Sequence, residues 1–289
     1  MQLFLKSRFQ LLQKTSPKSA TKLALKLWST VPKYKPSFQE KILIESAGRK
    51  RIPFQESKYQ PSRNTYYTLY SWGKGPSVLL VHDWGGCGAQ MASLAQPLVK
   101  AGYQVITFDA LAHGDSPGKQ TDLSEIVDII KDIEKKFNGF HAIIAHSYGA
   151  LAAGIALQDG VRANKLVVCS AATALDFYLR KFSKKLNASR EMHGRIIVNV
   201  TNRLGMSIEK LSLVHIAARL NRPVLILHDQ NDEVVDHREA LALSKCWPGS
   251  ELVMTSGLGH FGILKDSKTI QKIQQYIGVP QKALVESAV

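Results

Sequence analysis

Cysteine and long apolar runs are scarce in this sequence. Its three cysteines, Cys87, Cys169 and Cys246, form an odd set without C-x-x-C spacing, which argues against a disulfide framework. The longest mostly apolar stretch, at 151–157, is much shorter than the roughly 18–20 residues that a membrane-spanning helix needs. The first apolar pieces are interrupted by basic residues and precede no small-residue cleavage site, so a secretory signal is not indicated. These absences predict reduced thiols and a cytoplasmic protein.

Acidic residues are missing from the beginning of the chain. Residues 1–39 carry eight Lys or Arg and no Asp or Glu, and residues 176–222 carry ten basic residues against three acidic ones. The remainder is balanced, so these two segments account for the whole net charge of +15. Contacts with anionic partners are therefore expected at these segments. Nucleic acid is not an expected partner, because the basic segments contain no known binding motif and few interleaved aromatic residues.

Nucleotide-binding motifs are absent as well. The sequence contains neither G-x-G-x-x-G nor a P-loop, and it has no H-E-x-x-H metal motif. No cofactor is therefore expected.

The composition and periodicity predict one large α/β fold. The 289 residues are 45% hydrophobic and 21% charged, close to the globular average. Short apolar runs alternate with helical patterns, which indicates βαβ crossovers, a mostly parallel sheet flanked by helices, and ligands at the carboxyl ends of the strands. The predicted strands are 65–72, 77–83, 103–109, 141–147, 165–171, 223–229 and 250–256, and the predicted helices are 90–101, 123–137, 148–158, 238–246 and 267–277.

Three parts of the chain depart from that alternation. Residues 19–28 have the spacing of a basic amphipathic helix, which either docks on the fold or contacts an anionic membrane at its inner face. Lys41 to Ser46 and Arg51 to Gln55 are predicted to pair as a hairpin. Residues 173–222 are too long for one crossover helix and predict a helical cap inserted between strands six and seven. The expected division is an N-terminal segment 1–39, a core 40–172, the cap 173–222 and a second core part 223–289.

Ala145 to Ala150, the sequence AHSYGA, has the context of a nucleophile elbow. It lies between a predicted strand and a predicted helix, and Gly149 and Ala150 allow the close approach that such a turn needs. Ser147 is therefore a candidate nucleophile. The alternative is that Ser147 only caps the helix, because serine is a favoured N-cap residue.

A serine nucleophile needs a histidine base and a carboxylate that orients it. The strand 223–229 ends in the acidic loop HDQNDEVVD, and the last strand is followed by His260 between glycines. The order Ser147, acid, His260 is the order of α/β-hydrolases.

The chain resembles the α/β-hydrolase family from about residue 65 to residue 277. The resemblance implies that Asp232 is the acid, since it holds the last place of an H-G-x-x-D pattern that begins at His228. Asp229 and Asp236 remain neighbouring alternatives. It also implies an oxyanion hole formed by the backbone N–H groups of Trp84 and Tyr148.

Three residues stand where the family pattern has glycine: Ala145 before the candidate nucleophile, Asp229 after His228, and Asp83 in the oxyanion loop. In His82-Asp83-Trp84-Gly85-Gly86, Asp83 stands where the family's oxyanion loop has glycine, and a carboxylate there disfavours a nearby oxyanion unless it is paired. The turn 109–116, DALAHGDS, resembles the family's D-x-x-G-H-G-x-S turn and is expected to be structural. Cys87 follows this loop and is expected to be an inert thiol.

A metal centre is a weaker alternative. His82, Asp83, His228, Asp229 and His260 all follow strands at one edge of the predicted sheet. They have no fixed metal-ligand spacing, and a triad with its supporting residues accounts for them without an ion. No metal is therefore expected.

The predicted function is a serine hydrolase that cleaves a carboxylic ester, a thioester or a lysophospholipid. His82, His146, Phe177 and Phe182 are the predicted substrate contacts, and the basic cap favours an anionic substrate. Two alternatives stay open: a non-catalytic binding protein of the same fold, and a lipase-like enzyme held at a membrane surface by residues 1–39.

Overall fold

An eight-stranded sheet organises the computed structural model, which describes residues 2–54, 65–220 and 222–278. The strand order is β1-β2-β4-β3-β5-β6-β7-β8. The first two strands in this order run antiparallel to their neighbours, and all later pairs are parallel. The strands are β1 Gly48–Pro53, β2 Tyr66–Trp72, β3 Ser77–Val81, β4 Gln104–Asp109, β5 Phe140–His146, β6 Ala163–Cys169, β7 Val224–Asp229 and β8 Glu251–Thr255.

Helices cover both faces of this sheet, and each face has its own apolar core. No helix in the described ranges combines the length and the apolar character needed to cross a bilayer. The helices are α1 Gln2–Thr15, α2 Pro17–Ser29, α3 Phe38–Glu45, α4 Gly88–Met91, α5 Ala95–Lys100, α6 Leu123–Phe137, α7 Tyr148–Gln158, α8 Leu175–Leu186, α9 Arg190–Leu204, α10 Leu213–Ala217, α11 Arg238–Cys246, α12 Gly259–Gly262 and α13 Ser267–Ile277.

The predicted α/β architecture is confirmed. The central parallel strands are buried along nearly their whole length, as expected for a sheet covered on both faces. Helices α6, α7, α11 and α13 have the predicted bounds. Because the strands end at a common edge, the loops after β3, β5, β7 and β8 are brought together there.

The predicted hairpin is wrong in its first strand. Residues Phe38–Glu45 form helix α3 because Ser37 and Glu40 make a capping box. In it, the Glu40 N–H donates to Ser37 Oγ at 3.3 Å and the Ser37 N–H donates to Glu40 Oε2 at 2.8 Å. Strand β1 begins only at Gly48 and pairs with β2 instead. Gln55, the predicted end of the hairpin, lies outside the described residues.

The predicted helix at 90–101 is interrupted. Helices α4 and α5 are separated by one turn of 3₁₀ helix at Ala92–Leu94. Pro97 lacks the N–H that a continuous α-helix would use there, so its place is in the first turn of a new helix.

Residues 173–222, called the cap below, contain helices α8, α9 and α10. The N-terminal helices pack on the cap: the Trp28 ring meets Phe182 edge-on at 5.3 Å, and Gln13 exchanges hydrogen bonds with Asn187 O and Ser189 N. The basic amphipathic helix of the sequence is therefore α2, docked on the protein through buried Ala20 and Ala24.

Candidate active site

Ser147 lies on a sharp turn between β5 and α7. Its φ of 53° and ψ of −121° are costly for a residue with a Cβ atom, by about 1–3 kcal/mol. The turn brings α7 so close to β3 that a Cβ at Gly149 would overlap the His82 carbonyl oxygen. The Ser147 side chain makes no capping hydrogen bond to α7. The helix-cap alternative is therefore wrong, and the geometry is that of a nucleophile elbow.

His260, in the loop after β8, is oriented by Asp232, in the loop after β7. Its Nδ1–H donates to Asp232 Oδ2 at 2.7 Å, and both residues are buried. The other oxygen, Oδ1, accepts the N–H groups of Val234 and Val235 at 2.8 Å each. Burial alone raises the pKa of Asp232, but the hydrogen bonds from His228, His260 and the backbone outweigh it and hold that pKa far below its ordinary value.

The two neighbouring acids have other partners. Asp229 Oδ2 accepts from Thr255 Oγ1 at 2.7 Å and from the Leu258 N–H at 3.0 Å. Asp229 thus holds the loop that carries the histidine. Asp236 is half-exposed and pairs with Arg238. Of the three acids, it is Asp232 that reaches the imidazole.

Asp83 connects the elbow to the histidine. Its Oδ1 accepts the backbone N–H of Tyr148 at 3.0 Å, and its Oδ2 lies 3.8 Å from His260 Nε2. The carboxylate therefore lies where the resemblance places the oxyanion. Burial alone raises the pKa of Asp83 and lowers that of His260. The attraction between the carboxylates and the imidazole outweighs burial in both, so the pKa of Asp83 is lowered and that of His260 is raised.

Three buried polar atoms around the elbow have no hydrogen-bond partner: Ser147 Oγ, His260 Nε2 and Tyr178 Oη. Tyr178 comes from α8 of the cap, and its ring meets the Tyr148 ring edge-on at 5.1 Å. Ser147 itself is only 1% exposed. Ser147 is therefore covered near α8, and the serine and the histidine are not hydrogen-bonded to each other.

Sequence analysis missed Tyr178. Its neighbour Phe177, a predicted substrate contact, is half-buried and packs edge-on against Tyr178 at 5.4 Å. Phe182 is not brought to the elbow; it lies about one helical turn farther along α8, where it packs on Trp28. Contact of Phe177 and Phe182 with substrate stays a prediction. The only signal for Tyr178 was an aromatic pair at the start of the cap.

His82 and His146 use ring nitrogens to hold loops. The Nδ1–H of His82 donates to its neighbour's carbonyl, Asp83 O, at 2.7 Å, and its Nε2 accepts the N–H of Ala110 at 3.1 Å. His146 Nε2–H donates to the backbone oxygen of His260 at 2.8 Å. Burial and the nearby His260 lower the pKa of His146 to about 4, so its ring is neutral at neutral pH. Contact of His82 and His146 with substrate stays a prediction.

The turn 109–116 supports the loop that carries Trp84. Asp109 Oδ1 accepts the N–H of Gly88 at 2.7 Å, and His113 Nε2 accepts the N–H of Gly85 at 3.0 Å. The Trp84 ring packs edge-on against Tyr148 at 5.5 Å. Burial raises the pKa of the Cys87 thiol to about 12, which leaves it protonated and unreactive.

Comparisons with known proteins place this geometry in a family. Residues 78–270 match the model of the alpha/beta hydrolase family. No curated protein matches the sequence significantly.

Solved structures share the fold at low sequence identity. An esterase from Pyrococcus furiosus is 19% identical with a TM-score of 0.62, and the match covers 86% of this chain and 95% of that one. A bromoperoxidase from Bacillus anthracis is 16% identical with a TM-score of 0.60, covering 80% and 99%. An esterase from Exiguobacterium antarcticum is 17% identical with a TM-score of 0.58, covering 74% and 96%. At these identities the likeness concerns the fold, and the family match, which spans most of the sheet and the loops at its edge, shows that this chain belongs to the α/β hydrolase family.

Proposed function

We propose that the protein is a serine hydrolase that cleaves a carboxylic ester through an acyl-enzyme on Ser147. The observation that carries the proposal is the buried 2.7 Å hydrogen bond from His260 Nδ1 to Asp232 Oδ2, which leaves Nε2 without a partner beside a strained serine. A histidine held in this tautomer can accept a proton only at Nε2.

The reaction follows from these positions. Ser147 Oγ attacks the carbonyl carbon while His260 Nε2 takes the hydroxyl proton, and Asp232 stabilises the imidazolium. The backbone N–H groups of Trp84 and Tyr148 stabilise the oxyanion of the tetrahedral intermediate. The imidazolium then gives its proton to the leaving alcohol, and water releases the acyl group by the same steps.

Asp83 must move before this can happen. Its carboxylate accepts the Tyr148 N–H at 3.0 Å, so a substrate carbonyl has to take its place. The same movement lets Ser147 Oγ reach His260 Nε2. The closed structure is therefore a resting state, and opening of the cap at Tyr178 accompanies substrate entry.

The substrate class is a carboxylic ester, with thioesters and lysophospholipids as close variants. Half-buried Phe177 beside Tyr178 offers an apolar surface for the acyl group. An anionic leaving group is favoured by the basic cap, although Arg180 and Arg195 are paired with Asp176 and Glu191. Attraction by the cap therefore acts at long range, on the approach of substrate.

The test is labelling by a fluorophosphonate probe. We expect wild type to be labelled, and Ser147→Ala and His260→Ala not to be. Ser170→Ala is the matched control, because Ser170 is also buried, also has a positive φ of 51° and also has an unpartnered hydroxyl, but it follows β6. Esters of increasing acyl length then rank the substrates.

A non-catalytic binding protein is the second candidate. The observation that favours it is the Asp83 carboxylate on the Tyr148 N–H. If folded wild type is not labelled and Asp83→Gly is not labelled either, the binding protein replaces the hydrolase.

Peripheral membrane contact through residues 1–39 stays a proposal. Helix α2 is docked, but Phe4 and Leu11 of α1 are 71% and 64% exposed near basic residues. Co-sedimentation of the full chain with anionic vesicles tests the contact. Phe4→Glu with Leu11→Glu should release the protein, and Phe38→Glu, at an equally exposed site on α3, should not.

A further inference from the structure

A mixed cluster of side chains surrounds the elbow. Asp83, His146 and His260 each present one ligand atom, and these three atoms all lie within 4.8 Å of one another. They come from the loop after β3, the last residue of β5 and the start of α12. The Asp83 Oδ2 to His260 Nε2 distance is 3.8 Å. Two ligands bound about 2.1 Å from a tetrahedral ion lie about 3.4 Å apart, so the Asp83–His260 pair must close by about 0.4 Å and a pair at the 4.8 Å limit by about 1.4 Å.

Both imidazole rings are held as metal-binding histidines are held. A ligating histidine donates its other N–H to a carboxylate or a backbone carbonyl, which fixes the ring and its tautomer. His260 donates Nδ1–H to Asp232 at 2.7 Å, and His146 donates Nε2–H to the His260 carbonyl at 2.8 Å. The lone pairs that remain are on His260 Nε2 and His146 Nδ1.

An unpartnered atom points into this cluster. His260 is buried, and its Nε2 has no hydrogen-bond partner. The side chain of Asp83 is only 13% exposed, and the fully buried carboxylate of Asp232 lies behind the same histidine. Two carboxylates in so little water favour positive charge between them, either the proton of His260 or a bound cation.

We propose that Asp83, His146 and His260 form a Zn²⁺ site that inhibits the hydrolase. Two imidazole nitrogens and one carboxylate oxygen suit Zn²⁺ and leave a fourth position for water or Ser147 Oγ. The inhibition rests on the proposed function: the ion takes the Nε2 lone pair that would accept the serine proton. The carboxylate of the site belongs to Asp83, which stands where the family's oxyanion loop has glycine.

These three ligands differ from the five residues at strand ends that the sequence offered as a metal centre. His82 has both ring nitrogens on backbone partners. His228 donates Nε2–H to Val235 O at 2.9 Å, and although its Nδ1 is buried without a partner, His228 does not belong to the cluster of three ligand atoms. Asp229 is occupied by Thr255 and Leu258. His146, outside that set, completes the site because β5 ends beside the His260 loop.

Binding is tested without reference to activity. Metal-stripped full-length protein is dialysed against Zn²⁺ buffered by a chelator, and bound metal is counted per chain. We expect one Zn²⁺ in wild type and in Ser147→Ala, and an affinity loss of at least about 10-fold in Asp83→Asn and His146→Gln. His237→Gln is the control, because His237 also lies beside an aspartate, Asp236, but on the surface.

Thermal melts of the metal-free variants show that each is folded. Absence of Zn²⁺ from wild type at micromolar free metal overturns the site, as does equal binding by Asp83→Asn and His146→Gln.

Inhibition is tested by fluorophosphonate labelling. The rate of labelling of wild type should fall at least about 10-fold when Zn²⁺ is added, and it should recover when chelator is added. The rate of each variant with Zn²⁺ is compared with the rate of the same variant without metal. Labelling that is unchanged or increased by bound Zn²⁺ overturns the inhibitory role. Bound Zn²⁺ with no labelling even in chelator supports the site and refutes the proposed function instead.

Discussion

The two sides of the turn at Ser147 differ in how their buried carboxylates are paired. On the acid–base side, Asp232 and His260 form a hydrogen bond of 2.7 Å, and Asp232 has every partner that its charge requires. On the oxyanion side, the Asp83 carboxylate occupies the donor that a substrate would need. In the proposed hydrolase, the first side orients His260 as the base, and the second side is blocked by the Asp83 carboxylate. In the proposed hydrolase, Asp83 alone therefore blocks the oxyanion side, because its carboxylate already accepts the Tyr148 N–H.

The acid–base side predicts the largest effect. Asp232→Asn should lower kcat by about 10⁴-fold, because the amide favours the wrong imidazole tautomer. Ester hydrolysis by the purified variant measures it. Asp236→Asn should keep the wild-type rate, since that exposed acid pairs with Arg238. Equal losses in both variants would mean that Asp232 does not orient the base.

The oxyanion side predicts a gain. Asp83→Gly removes the carboxylate from the Tyr148 N–H, and one freed donor stabilises the transition state enough to raise kcat/KM by about 10²-fold. Steady-state hydrolysis of a short-chain ester in the presence of chelator measures it. A fall in rate would mean that Asp83 takes part in the chemistry.

The pH profile sharpens the comparison. Burial lowers the pKa of His260, but Asp232 and Asp83 outweigh burial and raise it. The base works only when it is neutral, so the acidic limb of the wild-type profile lies above the pKa of an ordinary histidine. Asp83→Asn removes one of the two carboxylates and should move that limb to lower pH. The kcat/KM profile is recorded in chelator. If the acidic limb stays in place or moves to higher pH, Asp83 does not raise the pKa of His260.

The smallest effect is expected at Tyr178, where the cap meets the elbow. Its buried hydroxyl makes no hydrogen bond of good geometry, although Ser147 and the backbone of Ala172 are near enough to act on it, so Tyr178→Phe should leave the free energy of unfolding unchanged or raise it by up to about 1 kcal/mol. The matched control is Tyr67→Phe, which removes a buried hydroxyl that donates to Asp132 at 2.6 Å. That change should cost about 1–3 kcal/mol in urea unfolding. Equal losses would mean that the Tyr178 hydroxyl has a partner in solution.

Prediction from the sequence was strongest where local chemistry and tertiary structure agree. The buried strands are continuous apolar runs, and helices α6 and α7 follow from periodicity and from the elbow. It failed at α3, where the apolar run Ile42 to Ile44 suggested a strand at Lys41 to Ser46 but the Ser37–Glu40 capping box fixed a helix. It also could not find Tyr178, because nothing along the chain shows which face of α8 meets the elbow.

The sequence by itself determined the alternation of strands and helices from β2 onward, the sharp turn at Ser147 and the loops that carry Asp232 and His260, because these depend on local periodicity and on small residues at turns. Only the tertiary structure decided which of three acids meets the imidazole, and that the Asp83 carboxylate lies on the Tyr148 N–H. It also decided that His146 joins Asp83 and His260 within 4.8 Å. These contacts join residues far apart in the chain, and their distances depend on how parallel strands align at one edge of the sheet.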